Sequence, residues 1–299
     1  MRTGALLPTM IMAMLASAVA RGASDRVFER QVAADPRGVV EISNVAGRIK
    51  VSGWDRAEVS VRAELGAGVD RIDVTSDRGH TIIRVVLPSY SFRSGGVDLR
   101  VQVPRGSELD ISAVSAAVTS TEVQGVQRLK TVSGEIRAGI AQSDVEAKTI
   151  SGDITLSGRG QPAQLHVSTV SGSLRVEHGA GELEATAVSG GVTLRLDSAR
   201  SVRVRTTSGD LRFEGKLLRG ASFDAESVSG ELIVRASAEA GYEYEVTTFS
   251  GDIRDCFNVE AERASKYGPG HRLSGTRAEG GAHVRLKTMS GSVELCDRD

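Results

Sequence analysis

One short residue pattern recurs eight times along this chain, as in TVSGEI and TISGDI. Its Ser-Gly dipeptides are Ser133-Gly134, Ser151-Gly152, Ser171-Gly172, Ser189-Gly190, Ser208-Gly209, Ser229-Gly230, Ser250-Gly251 and Ser290-Gly291. Successive serines are 18, 20, 18, 19, 21, 21 and 40 residues apart, so the last interval is about twice the others. Self-similarity at a nearly fixed period of this length indicates a repeat architecture.

The residues around each dipeptide alternate in the manner of β-strands. Pairs of mostly apolar side chains lie six and four residues before each serine, such as Leu165 and Val167 before Ser171, and an Ile, Leu or Val follows three residues after it. This period of two indicates two short strands joined by a bend. One such unit cannot bury its own apolar face, so copies must stack. The sequence therefore predicts an all-β parallel β-solenoid (β-helix) of about 18–21 residues per coil.

The dipeptide suits the corner of a coil. Glycine supplies backbone angles closed to other residues, or lets adjacent coils approach closely, and the serine hydroxyl can satisfy bend amides. Ser115-Ala116 lies 18 residues before Ser133 and is predicted to be a degenerate corner. The segment from Asn44 to Gly47 resembles a further worn copy. We expect the serines to be structural and not catalytic.

The chain divides into a short leader and one long domain. A charged Arg2, an apolar stretch and the triplet Ala18-Val19-Ala20 predict a signal peptide cleaved after residue 20, and no later stretch reaches the roughly 20 apolar residues of a membrane-spanning helix. We expect a polar lead-in at 21–37 and a single elongated domain at 38–299: an irregular, antiparallel N-terminal sheet or cap at 38–108, regular coils at 109–257, a protruding loop or hairpin at 258–281 and a terminal coil at 282–299.

Composition limits the partners. The chain is 40% hydrophobic but 4% aromatic, so its core must be built from aliphatic side chains. Lys plus Arg (37) nearly balances Asp plus Glu (38), and the formal charge is −1. Because such a surface has no field that attracts polyanions, we expect no nucleic-acid partner.

The two cysteines occupy the same phase of the repeat. Cys256 and Cys296 each lie six residues after a repeat serine. In adjacent coils they would be about 4.8 Å apart, within reach of a disulfide, whereas an intervening coil would exclude the bond. We expect the disulfide, and export to an oxidising compartment permits it. Two unrelated buried thiols are the alternative.

The segment 258–281 between them is the candidate binding loop. It carries Gly-Pro-Gly and Gly-Gly turn signals, and protruding loops on rigid scaffolds often bind partners. The candidate binding residues are Arg263, Lys266, Tyr267, His271, Arg272 and Arg277, whose cationic members could meet an anionic surface. A solvated loop without a ligand is the alternative.

The position after each glycine is often acidic: Glu135, Asp153, Asp210, Glu231 and Asp252. A column of carboxylates could bind Ca²⁺, but Arg residues two positions further on predict a solvated ladder of alternating charge. The five histidines form no metal-binding motif, and no nucleophile elbow, phosphate-binding loop or dinucleotide fingerprint is present. We therefore expect no enzyme, no catalytic residues, no cofactor and no metal.

These motifs resemble those of the bacterial putative-adhesin family of secreted domains of unknown function, known for serial T-[VI]-S-G-[DE]-[IL] repeats. The resemblance runs from about Val39 to Glu294, and the acidic position departs from it at Ser173, Gly191 and Ser292. It implies a right-handed parallel β-solenoid and export. The family has no established reaction, so it implies no catalytic residues.

The sequence leaves three functions open. We expect a non-enzymatic, adhesin-like binding or structural module of the bacterial cell envelope, in the periplasm or at the cell surface, whose partner is an envelope protein or glycan. An enzyme acting on an envelope polysaccharide is the first alternative. The second is a scaffold that assembles end to end through open terminal coils, although Asp297, Arg298 and Asp299 would blunt one edge.

Overall fold

The computed structural model describes residues 26–66, 69–87, 95–257, 259–263 and 269–297. The segment 1–20, expected to be a signal peptide, and the candidate binding residues Lys266 and Tyr267 lie outside these ranges. Every regular element within them is a strand, which confirms the all-β class, and none of these residues forms a helix long and apolar enough to cross a membrane.

The strands fall into three stretches of chain. The first stretch is β1 (Arg26–Ala33), β2 (Val39–Trp54), β3 (Glu58–Leu65), β4 (Arg71–Asp77), β5 (His80–Val86), β6 (Val97–Pro104) and β7 (Glu108–Thr121). The second is β8 (Gln127–Lys130), β9 (Ile136–Gly139), β10 (Val145–Thr149), β11 (Ile154–Ser157), β12 (Pro162–Ser171), β13 (Leu174–Ser189), β14 (Val192–Ser208) and β15 (Leu211–Ser229). The third is β16 (Leu232–Ala238), β17 (Tyr242–Thr248), β18 (Ile253–Asp255), β19 (Glu262–Arg263), β20 (His271–Arg277), β21 (His283–Ser290) and β22 (Val293–Asp297).

The repeats build two faces that meet at the Ser-Gly corners. Segments before the corner pair in parallel from repeat to repeat, as Leu165 with Leu183 and Leu183 with Val202, and we call this the approach face. Segments after the corner also pair in parallel, as Ile154 with Leu174, and form the departure face. Antiparallel pairs occur at both ends, so the sheet as a whole is mixed.

The core lies between the two faces and follows the alternation of the sequence. Leu165 and Val167 are buried, whereas His166 between them is exposed. Phe213 of the departure face packs on Phe223 of the approach face, with ring centroids 4.4 Å apart. Gln127 is the polar residue at an otherwise apolar inner position, and its Nε2 donates a hydrogen bond to the Gly139 carbonyl at 2.9 Å.

The order of coils in space differs from their order in sequence at the C-terminal end. β21 lies between β15 and β17, and β22 lies between β16 and β18. Strands β21 and β22, expected in the terminal coil at 282–299, therefore lie between two other coils, and the coil with Ser250 is outermost. Because the long segment before β21 gives the chain room to return, the last strands can enter between two coils that are consecutive in sequence.

The N-terminal end has the same kind of wedge. β2 pairs in parallel with β7 on one side and with β5 and β6 on the other. Antiparallel strands then cover the outer coil: β4 lies on β5, β3 on β6 and β1 on β3. The N-terminal part, expected as an antiparallel sheet or cap, therefore combines antiparallel strands with parallel strands of the repeat.

The segment 258–281 was expected to protrude as a loop or hairpin. Its strand β20 instead runs antiparallel along β17, and the short β19 pairs with β20. The hairpin therefore lies on the edge of the outermost coil. The physical reason is that β17 would otherwise present a row of unpaired N–H and C=O groups.

Candidate functional site: an exposed apolar ridge

At the corners of Ser133 and Ser151, the threonine two residues before the serine closes the bend. Ala187 and Ser227 hold this position in two other repeats. The Thr131 hydroxyl accepts a hydrogen bond from the Gly134 N–H at 3.0 Å and donates one to the Val114 carbonyl of the preceding coil at 3.2 Å. Ser133 was expected to satisfy bend amides, but its hydroxyl instead donates to the Val114 carbonyl at 3.4 Å. At these two corners the cap is therefore the threonine, because its side chain points inward beneath the bend.

The corner glycines are needed because neighbouring coils approach closely. A Cβ on Gly209 would meet the Gly190 carbonyl well inside 3.0 Å, a separation that real Cβ atoms essentially never show. The same clash would occur at Gly291 with the Gly230 carbonyl. Of the two reasons expected for glycine, close approach applies at these corners.

The inward threonine forces its neighbour outward. Positions six, four and two residues before the serine face the core, so the residue directly before the serine must face solvent. We call these outward side chains the apolar ridge. In spatial order its positions are Val45, Val114, Val132, Ile150, Val170, Val188, Thr207, Val228, Met289 and Phe249.

The ridge is continuous and long. Strand registry places each member beside the next, as the pairs flanking Val170 and Val188 illustrate. Ten rows at about 4.8 Å span roughly 43 Å. Thr207 is the polar position among the ten, and the largest side chains, Met289 and Phe249, are 59% and 60% exposed. Apolar side chains exposed contiguously in this way mark an interaction surface.

A shallow groove lies beside the C-terminal part of the ridge. Its volume is about 640 Å³, and its apolar lining includes Val188, Val228, Phe249 and Met289. Arg205 is one of the polar residues at its margin. The groove is open to solvent along its length, so it suits an extended surface better than a small enclosed ligand.

Two columns of charge flank the ridge, and they differ in sign. On the approach face, two residues before each ridge position, the column contains Lys130, Lys148, Arg205, Glu226 and Lys287. On the departure face, three residues after each ridge position, it contains the acids Glu135, Asp153, Asp210, Glu231 and Asp252 and one cation, Arg48. The ridge therefore separates a mainly cationic column from a mainly acidic one.

The acidic column has a structural task. Asp153 Oδ1 accepts a hydrogen bond from the Ser173 N–H at 2.7 Å, and Asp210 Oδ1 accepts one from the Glu231 N–H at 2.9 Å. Each carboxylate thus satisfies a backbone donor in the next coil. Among the described residues, no three or more His, Cys, Asp or Glu side chains are grouped so that they could hold a metal ion.

The approach face carries ion pairs between coils, some of them within the column that flanks the ridge. Arg285 lies 3.8 Å from Asp224 on one side and 3.6 Å from Glu245 on the other. The Arg205 guanidinium bridges Glu184 and Glu226 in the same way. These side chains are exposed, so each pair contributes little stability on its own.

A polar and covalent clamp holds the C-terminal wedge. Cys256 and Cys296 form a disulfide with their Cα atoms 5.0 Å apart. The Tyr242 hydroxyl donates to Asp297 Oδ1 at 2.7 Å, and Arg277 donates to Asp297 Oδ2 at 2.7 Å. Burial, followed by the hydrogen bond to Asp297, raises the pKa of Tyr242. These contacts join the wedged strand β22 to the outermost coil and its covering strand.

Three of the four described candidate binding residues of 258–281 have side-chain partners within the protein, and the fourth, Arg263, is held only through its backbone. His271 Nδ1 lies 3.2 Å from the Gly251 carbonyl, Arg272 donates to Glu245 at 2.7 Å, and Arg277 binds Asp297. Arg263 pairs with His271 across β19 and β20. The candidate residues are therefore not one free cationic patch, and binding by this segment stays a prediction.

Sequence reasoning missed the apolar ridge, although its signal was present. The residue before each repeat serine is apolar in seven of eight copies, with Thr207 the exception. Hydrophobicity alone would place valine inside and threonine outside. Because successive side chains of a strand point to opposite faces, the threonine lies inside and the valine after it lies outside. Counting along the strand from the buried apolar pairs would have identified the outward residues.

The geometry defines an all-β repeat protein whose outer surface carries a long apolar ridge between columns of opposite charge. The chain belongs to the Toastrack DUF4097 family, whose model matches residues 40–296. No curated protein matches its sequence.

Several solved structures are similar. A putative adhesin from Parabacteroides distasonis has a TM-score of 0.52 at 10% identity, over 91% of this chain and 98% of that one. A putative adhesin from Bacteroides fragilis has a TM-score of 0.40 at 11% identity, over 92% and 98%. A putative lipid binding protein from Parabacteroides distasonis has a TM-score of 0.34 at 12% identity, over 91% and 97%. The first likeness concerns the fold alone.

Proposed function

We propose that this chain is a non-enzymatic, exported binding module of the bacterial cell envelope, built as a β-solenoid, and that it binds a protein partner through the apolar ridge. The observation that carries the proposal is the continuous exposure of nine apolar side chains in ten successive rows. A water-exposed stripe of this length costs solubility, so a partner that covers it is expected.

The choice of a protein over a glycan follows from the chemistry of the ridge. Its members are aliphatic apart from Thr207, Met289 and Phe249, so they favour apolar side chains and contribute few hydrogen-bond groups. The charged columns on both sides would form the polar rim that surrounds an apolar interface core.

Two observations support export and a binding role. The Cys256–Cys296 disulfide is a bond that persists in oxidising compartments outside the cytosol. The similar structure from Parabacteroides distasonis is described as a putative adhesin, which accords with a binding module. The repeat serines, which could resemble nucleophiles, lie at corners and donate hydrogen bonds to neighbouring carbonyls, as Ser133 does.

A capture experiment tests the proposal. The chain beginning at residue 21 would be used as bait for envelope extracts, beside a variant with Val170→Asp and Val188→Asp. Val27→Asp is the matched control, because Val27 is 47% exposed, much as Val170 is at 45%, yet lies off the ridge. We expect the ridge variant to lose at least tenfold of the captured partner and the control to retain it. Equal capture by all three baits would overturn the proposal.

A variant of the 258–281 segment separates the two candidate surfaces. Arg263→Ser with Lys266→Ser removes two cationic side chains of that segment without deleting β20, which covers the outer coil. We expect this variant to capture as much partner as the unmodified chain. Loss of capture only in this variant would assign binding to the segment and not to the ridge.

A further inference from the structure

We infer that the protein partner of the apolar ridge is a second copy of the same chain, packed ridge against ridge with both chains running in the same direction. The inference rests on the proposed function, since it names the partner of the same surface. It follows from the distribution of charge on the two sides of the ridge.

Two chains can place the same ridge face to face about a two-fold axis in only two simple ways. When the axis runs along the ridge, the chains are parallel, and the approach-face column of one chain faces the departure-face column of the other. When the axis crosses the ridge, the chains are antiparallel, and each column faces its own copy. The two arrangements therefore bring different charges together.

The parallel arrangement pairs opposite charges row by row. Lys130 lies in the same row as Glu135, Lys148 in the same row as Asp153, and Arg205 in the same row as Asp210. Because a two-fold axis along the ridge preserves the row, each cation would face the acid of its own row on the second chain. The symmetry makes every such contact twice.

Neutral residues fill the centre of the interface. The two middle rows carry Ser168 with Ser173 and Thr186 with Gly191. In one row, Glu226 of each chain would face Glu231 of the other, so like charges meet there. Lys287 lies beside Glu226 in the adjacent row of the same approach-face column. Opposite charges thus meet in three rows and like charges in one.

The antiparallel arrangement is worse. With the axis at the centre of the ridge, Lys148 would lie against Arg205 on the approach face. On the departure face Asp153 would lie against Asp210 and Glu135 against Glu231, so like charges meet in three places, while Lys130 against Glu226 is a favourable contact. Like charges directly opposite are destabilising at an interface and exclude wrong pairings. Complementarity of charge therefore selects the parallel pair.

The size of the surface suits a reversible dimer. The approach flank lies about 7 Å from the ridge on the same strand, and the departure flank follows three residues on, across the bend. The ridge and its two flanks therefore form a band no more than about 17 Å wide and about 43 Å long, at most on the order of 700 Å² per chain. Specific interfaces bury about 800 Å² per partner, and smaller ones are transient. We therefore expect dissociation in the micromolar range.

Sedimentation equilibrium of the chain beginning at residue 21 tests the pairing. We expect a concentration-dependent dimer, at least a tenfold weaker one for Val170→Asp with Val188→Asp, and an unchanged one for Val27→Asp. A monomer at all concentrations up to about 200 µM, or a dimer that the ridge variant leaves intact, would overturn the inference.

Crosslinking tests the direction of the chains. A single Val132→Cys substitution introduces the free thiol, because the native cysteines are joined. In the parallel dimer each row meets itself, so this variant should form a covalent dimer under mild oxidation. A crosslink that appears only when Val132→Cys chains are mixed with Val228→Cys chains would show the antiparallel arrangement and overturn the inference.

Charge reversal supplies a rescue. Lys130→Glu or Glu135→Lys alone should weaken the dimer several-fold, and both in one chain should restore it, since opposite charges again face each other across the axis. If the double variant dimerises more weakly than either single variant, the row pairing is wrong.

If the protein is monomeric but ridge substitutions still abolish envelope capture, this inference fails and the proposed function stands.

Discussion

The Thr149 hydroxyl accepts a hydrogen bond from the Gly152 N–H at 3.0 Å, beneath a bend whose next outward side chain is Ile150. This contact ties the interior of the repeat to its surface. Because the side chain at this position turns inward, the residue after it turns outward, and successive repeats align these outward residues into the apolar ridge.

Replacing the cap should destabilise the fold. Thr149→Val keeps the shape of the side chain but leaves the buried Gly152 N–H without its acceptor, which costs about 1–3 kcal/mol in the free energy of unfolding. Thr155→Val on the outer side of β11 is the control and should change it by less than about 0.5 kcal/mol. Guanidinium denaturation of the two variants checks the difference, and equal stabilities would show that the threonine is not the cap.

Two adjacent glycines should respond in opposite ways to alanine. A Cβ at Gly190, which has a φ of 143°, would clash with the Gly172 carbonyl, whereas a Cβ at Gly191 would meet nothing within 4 Å. We expect Gly190→Ala to lower the free energy of unfolding by about 2 kcal/mol or more. Gly191→Ala should be neutral or stabilise by up to about 1 kcal/mol. Denaturant unfolding of both variants is the measurement, and similar losses would contradict the close packing of coils.

The disulfide should stabilise the C-terminal wedge. It joins residues 40 positions apart in the sequence. By restricting the unfolded chain, a crosslink that closes a loop of this length is expected to raise the free energy of unfolding by roughly 4 kcal/mol. We expect Cys256→Ser with Cys296→Ser to lose about 2–4 kcal/mol in the free energy of unfolding.

Hydrogen exchange should locate that loss. Amides of β17, β18 and β22 should exchange faster in the double serine variant, while those of β10–β13 keep their protection. If exchange is faster throughout the protein, or is not faster in any strand, the disulfide does not act as a local constraint on these strands.

Alkaline pH should destabilise the protein through Tyr242. Burial and the hydrogen bond to Asp297 raise the pKa of the phenol, so the folded state keeps a proton that the unfolded chain loses above about pH 10. The stabilising contribution is therefore complete below pH 10 and declines at higher pH. We expect Tyr242→Phe to reduce the fall in unfolding free energy between pH 9 and 11, and an identical fall would contradict the assignment.

Much of the fold was predictable because the repeat period specifies the length of each coil and which residues lie side by side in neighbouring coils. The spacing of Ser171, Ser189 and Ser208 predicts coils, and the shared phase of Cys256 and Cys296 predicts neighbouring strands. The coil order was not predictable. Identical repeats pair equally well in several orders, so sequence phase cannot reveal that β21 enters between β15 and β17.

The apolar ridge could have been predicted from the sequence, whereas the arrangement of the charge columns beside it could not. Predicting the ridge requires only the alternation of inward and outward side chains, counted from the buried pairs and Thr149. The charge columns acquire meaning only when Lys148 and Asp153 are known to lie on opposite sides of one ridge row, which requires the path of the corner.

Cysteine accessibility in living cells tests most directly whether the ridge is a binding surface. Val170→Cys and Val27→Cys are nearly equally exposed in the isolated chain, at 45% and 47%. We predict that a membrane-impermeant maleimide labels both at similar rates in dilute purified protein, but labels Val170→Cys at least fivefold more slowly than Val27→Cys in the envelope. Equal labelling of the two variants in the envelope would contradict the account.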